Sequence, residues 1–215
     1  MFDKIQHIGY LVSDLDAAVE WFSKTFGGQN AGGSNLGDGI VVPSGGRNAF
    51  VHFGQIEVEL IEPNDKSALP DNSLVMHHVG YVVEDINGSM EEFKRRGFRF
   101  ISDAPNTNVM GQQVLYFHPE TTNGVLMHLT QQPETPSTIG IGHGCAVDRI
   151  VHAGYLVADV EEAVDWYVTK FDGSAVGGIG ASRRGARNAY VNFGQVQVEL
   201  IEALDKADLE GKSYV

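Results

Sequence analysis

Four residues of metal-binding type stand at regular places in this chain: His7, Glu59, His78 and His128, separated by 52, 19 and 50 positions. Each sits in a run that otherwise alternates toward burial, QHIGYLV, VELIE, HHVGYVV and VLMHL. A carboxylate or imidazole isolated on a buried strand face is costly, and one divalent cation is a compact way to satisfy several at once. Taken singly, each reads as a hydrogen-bonded core or rim residue. Taken together they read as a ligand set, with one member on the first and one on the last strand of two successive units. Pseudo-twofold pairing of those units would bring all four to a common centre. Three imidazoles and one carboxylate suit Zn, Ni, Co, Fe or Mn, since imidazole serves all of them and geometry often selects.

The units that must position these residues are visible as an internal repeat. QHIGYLVSDLDAAVEWFSKTFGG from Gln6 returns as VHAGYLVADVEEAVDWYVTKFDG from Val151, and RNAFVHFGQIEVELIE from Arg47 returns as RNAYVNFGQVQVELIE from Arg187. The first pair is offset by 145 positions and the second by 140, so a connecting loop is five residues shorter in the later copy, the kind of change loops absorb. A fainter copy begins at His77 with HHVGYVVEDINGSMEEFKRRGF. A period of this size marks a supersecondary unit. In each, an opening strand such as Ile8 to Val12 is followed by an Asp14- or Asp159-capped helix. In the first helix Leu15, Ala18, Val19, Phe22 and Phe26 share one face, and Gly27-Gly28 supplies the stop. Strands follow over Ala49 to Gly54 and Gln55 to Pro63, joined at a tight Gly-Gln turn, and over Gln112 to His118 and Gly124 to Gln131. One further short strand within Gly27 to Gly46 completes a βαβββ unit. The fold class is therefore α+β, a repeat of βαβββ units at about 1–66, 76–131 and 148–215. The first two pair into one module over 1–131, and a Pro- and Gly-containing linker at 132–147 separates the third.

Composition narrows the function classes. The chain has 215 residues, 42% hydrophobic and 20% charged, which suits a folded protein with a real core. Its formal charge of −13, from 28 acidic and 15 basic residues, repels phosphate backbones and anionic membrane surfaces. Neither nucleic acid nor a membrane is an expected partner, no apolar run approaches the length of a membrane helix, and no signal-peptide core precedes His7; a cytoplasmic location is expected. The single cysteine, Cys145 in GIGHGCAV, is read as a loop thiol.

The motifs QHIGYLVSDLDAAVEWF, VELIEP, HHVGYVVEDI and YFHPETTNGVLMHL resemble the vicinal oxygen chelate superfamily, which includes glyoxalase I, methylmalonyl-CoA epimerase, extradiol dioxygenases and the bleomycin- and fosfomycin-resistance proteins. They span nearly all of residues 1–131. The resemblance implies a cup-shaped mixed sheet around a divalent metal held by His7, Glu59, His78 and His128. It also implies an isomerase or lyase that chelates two neighbouring oxygens of a small carbonyl or carboxylate substrate and moves a proton through an enediolate. Glu59 is the first choice of base and His128 the second. In the glyoxalase and epimerase branches the position of His128 is usually glutamate, and Asp38 is the one carboxylate in Gly37 to Gly46, where the epimerases carry a second acid/base glutamate. Two alternatives stand beside this reading: a non-haem Fe(II) extradiol-type dioxygenase, and a metal-free, bleomycin-resistance-like module that sequesters a ligand.

The third unit has no partner unit in the sequence and is expected to expose an apolar sheet face. The same unit of a second chain would cover it in a twofold homodimer, where His152 and Glu199 from each copy could build a second four-ligand site. The other readings are a dimerisation arm without a site, or a natural chain that continues past Val215. Several other polar and aromatic residues are expected outside the site. Arg47 and Arg187 are read chiefly as salt-bridge residues, His118 as a turn residue, His52 as part of a polar face, Trp21 and Trp166 as core. His77 is expected to point to the sheet face opposite His78.

Overall fold

A carboxylate at Asp14 starts the first helix by accepting from the backbone N–H of Ala17 at 2.9 Å, and Gly27 ends it in the left-handed conformation at φ 67°. Asp85 and Asp159 cap the other two helices in the same way. The computed structural model describes residues 2–70, 74–108, 110–133, 147, 149–182, 186–203 and 205. Cys145 and most of the expected linker lie outside the described residues.

In chain order the elements begin with β1 (Phe2–Val12), α1 (Leu15–Phe26), β2 (Gln29–Gly32), β3 (Asn35–Leu36), β4 (Gly46–Phe53) and β5 (Ile56–Pro63). A second set follows as β6 (Leu74–Val83), α2 (Ile86–Arg95), β7 (Asn106–Thr107), β8 (Gln113–Tyr116) and β9 (Met127–Gln131). The third is β10 (His152–Leu156), α3 (Val160–Phe171), β11 (Ser174–Ser182), β12 (Ala186–Phe193) and β13 (Val196–Ala203). β1 is longer than expected, and the Gly27 to Gly46 stretch supplies two short strands, β2 and β3, rather than one.

The first two sets share one nine-stranded mixed sheet in the order β2-β4-β5-β1-β6-β9-β8-β7, with β3 beside β4. Its centre is the antiparallel pair β1 and β6, in which His7 lies opposite Gly80 and Gly9 opposite His78. That reciprocal register is the mark of a pseudo-twofold axis. β5 runs parallel to β1 with Glu59 beside Gly9, and β9 runs parallel to β6 with His128 beside Gly80. The four candidate ligands thus come to the sheet centre by strand register alone. Gly9 and Gly80 are required there: a Cβ on Gly9 would lie 2.1 Å from His78 Cε1, and one on Gly80 2.6 Å from His128 Cε1 and Nε2.

Two of the three register shifts in the β1/β6 pair, at Gln6 and at His77, correct one expectation. Strict alternation would send His77 away from His78. A bulge places two residues of one strand against one of its partner, so consecutive side chains can reach the same region.

The third set forms its own four-stranded sheet, β10-β13-β12-β11. One face of that sheet is covered. Ala153, Tyr155, Val191, Phe193, Val198 and Leu200 join one continuous core with α2, α3 and the second set. Phe2 ties the parts together, with its ring centroid 5.0 Å from Tyr81, 5.6 Å from Phe171 and 5.1 Å from Phe193. The other face carries His152, Glu199, Asn188 and Tyr190, with His152 exposed among the described residues. Trp21 also departs from its expected core role: it is 47% exposed, resting edge-on against Phe22 and Phe26. Trp166 packs against the core as expected.

Candidate functional site

Alternation in β1, β5, β6 and β9 turns His7, Glu59, His78 and His128 to one face, and all four are buried. His7 Nε2 lies 2.9 Å from His78 Nε2 and 3.4 Å from His128 Nε2. Glu59 Oε2 lies 3.2 Å from His78 Nε2 and 3.4 Å from His7 Nε2. Ligand atoms on a tetrahedral ion with bonds of 2.0–2.1 Å sit about 3.3–3.4 Å apart, so the spacing fits a first-row divalent cation. One ring nitrogen from each of His7, His78 and His128 lies within 4.8 Å of the other two.

The outer nitrogens argue the same way. His128 Nδ1 contacts Thr130 Oγ1 at 3.0 Å and the Leu129 carbonyl at 3.3 Å. His78 Nδ1 meets His77 Nδ1 at 3.0 Å, and His77 Nε2 meets the Val41 carbonyl at 2.9 Å. Donation from His77 Nε2 to Val41 leaves its Nδ1 to accept from His78, which turns the His78 Nε2 lone pair inward. His7 Nδ1 lies 3.2 Å from Glu57 Oε1 without a well-aligned hydrogen bond. Imidazoles that bind metals through one nitrogen while the other is held from outside show this pattern.

Asn48 donates to Glu59 Oε1, leaving Oε2 toward the histidines. Gln6, on the other bulge, donates to Glu57 at 3.0 Å and to Gln112 at 3.1 Å, and His52 bonds Glu57 at 2.7 Å. Tyr116 places its ring centroid 4.7 Å from that of His128 and 5.7 Å from that of His78. Asn48, His77, Gln6 and Tyr116 are the neighbours that reading the sequence missed. Asn48 had a signal, since RNAF and RNAY keep the asparagine in both good copies. The bulged residues had none, because alternation places them on the wrong face.

The electrostatics follow from burial among carboxylates. Burial works against a charged His7, but the close Glu57 and Glu59 carboxylates outweigh it and raise its pKa to about 9. Burial also opposes an ionised Glu59, yet His7 and His78 pull it well below the usual carboxylate range. Burial, reinforced by neighbouring imidazoles, holds His128 well below its ordinary value and lowers His78, and burial with His78 nearby brings His77 down to about 4. Burial, then the Glu59 charge, keeps the Tyr116 phenol protonated far above neutrality.

The other singled-out residues fall outside this cluster. Arg47 joins Asp16 of α1 at 2.9 Å to Glu62 of β5 at 2.6 Å, and Arg187 joins Glu161 to Glu202 in the third set, so both brace helix to sheet. His118 caps a turn at Pro119–Thr121. His152 lies 3.4 Å from Glu199 on the separate four-stranded sheet. Among the described residues no helix is long and apolar enough to cross a membrane.

Human mitochondrial methylmalonyl-CoA epimerase is 26% identical over 135 residues, 60% of this chain and 73% of the relative. The ethylmalonyl-CoA/methylmalonyl-CoA epimerase of Cereibacter sphaeroides is 29% identical over 139 residues, 61% of this chain and 99% of its own length. A Streptomyces coelicolor methylmalonyl-CoA epimerase variant, solved with 2-nitronate-propionyl-CoA, shares the fold at TM-score 0.51 and 24% identity over 64% of this chain and 99% of its own. Residues 6–116 match the Glyoxalase/Bleomycin resistance protein/Dioxygenase superfamily, and the chain belongs to it, a member of the vicinal oxygen chelate superfamily.

Proposed function

We propose that residues 1–131, a pair of βαβββ units, form a metal-dependent isomerase. It relocates the proton on a carbon flanked by a carboxylate and a thioester carbonyl, with His7, Glu59, His78 and His128 as metal ligands. The observation that carries this reading is the convergence of three buried imidazoles, with His7 Nε2 2.9 Å from His78 Nε2 and 3.4 Å from His128 Nε2 and with Glu59 Oε2 3.2–3.4 Å from His78 and His7. The epimerase relatives support the reaction class and the thioester substrate. Held by His7, Glu59, His78 and His128, a divalent cation would supply Lewis acidity that favours the enolate form of such a substrate.

The proton work falls to Glu59. It is ionised at any working pH, its Oε1 is fixed by Asn48, and its Oε2 faces the cluster. His128 is held neutral, with Nδ1 engaged by Thr130, which makes it a ligand rather than the acid. Tyr116 offers a neutral phenol beside His78 and His128, suited to donate to a substrate oxygen. The test is exchange in D2O: the metal-loaded chain should incorporate deuterium at the α-carbon of an α-carboxyacyl thioester. Absence of exchange with Mn, Co, Ni and Zn, each shown to be bound, would exclude the isomerase reading.

Two expectations arise from the surroundings. His77→Ala removes the group that orients His78 and should weaken metal binding about 10- to 100-fold, the usual cost of losing an outer partner, as read by competition with a chromophoric chelator. An unchanged affinity would mean that His77 does not orient the ligand. With a pKa of about 9, His7 carries a proton at neutral pH while the metal is absent, whereas His78 and His128 are already neutral. Metal uptake at neutral pH should therefore release about one proton per ion and tighten roughly tenfold per pH unit until the His7 pKa is passed. The sign is set by competition, since raising the pH removes the proton that blocks the lone pair. Calorimetry in buffers of different ionisation enthalpy measures the count, and zero release would remove His7 from the ligand set.

A further inference from the structure

The first and third units meet through their turns. Gln195, between β12 and β13, donates its backbone N–H to the Phe2 carbonyl at 3.0 Å, and Gln55, between β4 and β5, donates to the Val147 carbonyl at 2.9 Å. Gln55 and Gln195 hold one place in the repeated GQIEV and GQVQV runs, and Phe2 and Val147 lie 145 positions apart, the offset of the opening strands. One contact is therefore made twice, each unit giving what it receives, which is the mark of a second approximate twofold axis.

A cleft of about 680 Å³ opens between these turns, and its walls keep the same relation. Lys4 in β1 matches Arg149 ahead of β10, Ile5 matches Ile150, and Gln55 matches Gln195. The two bases stand out against the rest of the molecule. In a chain with a formal charge of −13, the other described lysines and arginines each reach a carboxylate, or in the case of Lys170 a backbone carbonyl. Lys4 and Arg149 are exposed, and among the described residues no hydrogen bond or ion pair holds either side chain. Asp3 is the one carboxylate among the described residues on the walls, so the cleft is positive within an acidic protein.

We propose that this cleft binds a small molecule with an oxyanion group, carboxylate or phosphate, at each end. One end meets Lys4 and the other Arg149, whose guanidinium takes two oxygens at once. The Gln55 and Gln195 amides supply further donors, and Ile5 and Ile150 pack against the carbon skeleton that joins the ends. A two-ended ligand is favoured because the walls are nearly twofold, so that what suits one half suits the other. The volume is that of small-molecule sites in general, where a few polar groups set among apolar ones fix the ligand. His7, Glu59, His78 and His128 do not line the cleft, so this site is separate from their cluster.

The experiment is titration calorimetry of the full 215-residue chain at low ionic strength with fructose 1,6-bisphosphate, glutarate and uncharged glucose. One of the dianions should bind one-to-one and glucose should not, and the tighter dianion assigns phosphate or carboxylate as the head group. Lys4→Gln and Arg149→Gln should each weaken binding about tenfold and the double variant about 100-fold, the scale of losing charge-assisted hydrogen bonds. Their melting temperatures should match wild type, since neither base has a partner among the described residues to lose. Lys24→Gln, which breaks only a surface pair with Glu20, should bind like wild type, and added salt should weaken binding. His78→Ala should also bind like wild type, so failure of the proposed metal centre and failure of this site are told apart. Absence of binding by both dianions at millimolar concentration, affinity unchanged in the double variant, or binding lost in His78→Ala would overturn the proposal.

Discussion

Replacing His78 with alanine is expected to abolish stable metal binding in the first module, lowering affinity by more than about 100-fold, since loss of an outer partner alone costs 10- to 100-fold. His78 is the residue with most to lose. Its ring is 1% exposed, packs over Gly9, and brings Nε2 within 3.2 Å of Glu59 and 2.9 Å of His7. The variant leaves a ring-sized space and strips His77 of its partner, so the metal-free protein should also lose roughly 1–3 kcal/mol of stability. His118→Ala is the control, because that ring only caps a turn. Elemental mass spectrometry after dialysis against metal-free buffer reads the result directly. A His78→Ala chain retaining a full first-module equivalent would remove the proposed centre.

Glu59→Gln should lower proton exchange at the substrate α-carbon by about 10²- to 10⁴-fold, the range ascribed to a positioned acid or base. The substitution keeps size and keeps an oxygen for Asn48 to donate to, but it removes the charge and the ability to accept a proton. Part of the metal affinity should survive through the three imidazoles. A second readout separates lost base from lost fold. Glu59 is one of the two carboxylates that raise His7, so without it the His7 pKa should fall and metal uptake at neutral pH should release less than one proton. Wild-type exchange rates in a metal-loaded Glu59→Gln chain would take Glu59 out of the chemistry, and an unaltered proton count would mean that Glu59 does not face His7.

The sequence by itself located most of the strands and singled out the four residues that cluster at the sheet centre. Repetition of the GYLV and VELIE runs located the strands, and Asp14, Asp159 and Gly27 fixed helix ends through local hydrogen bonding and backbone conformation, which need no tertiary partner. A histidine or glutamate placed where alternation demands burial was enough to single out His7, Glu59, His78 and His128. What surrounds them was decided by the tertiary structure. The bulges at Gln6 and His77 exist only where β1 meets β6, so an alternation rule applied to one strand sends both side chains the wrong way. The Arg47 link between Asp16 and Glu62 requires α1 to lie on β5. The third unit shows the same division most clearly. Its apolar face was legible from its pattern, but which surface covers that face was not. α3 of the same unit covers it together with Phe2, while on the other face His152 is exposed among the described residues. Periodicity fixes which side chains share a face, whereas the packing of one face on another depends on contacts between residues far apart in the chain.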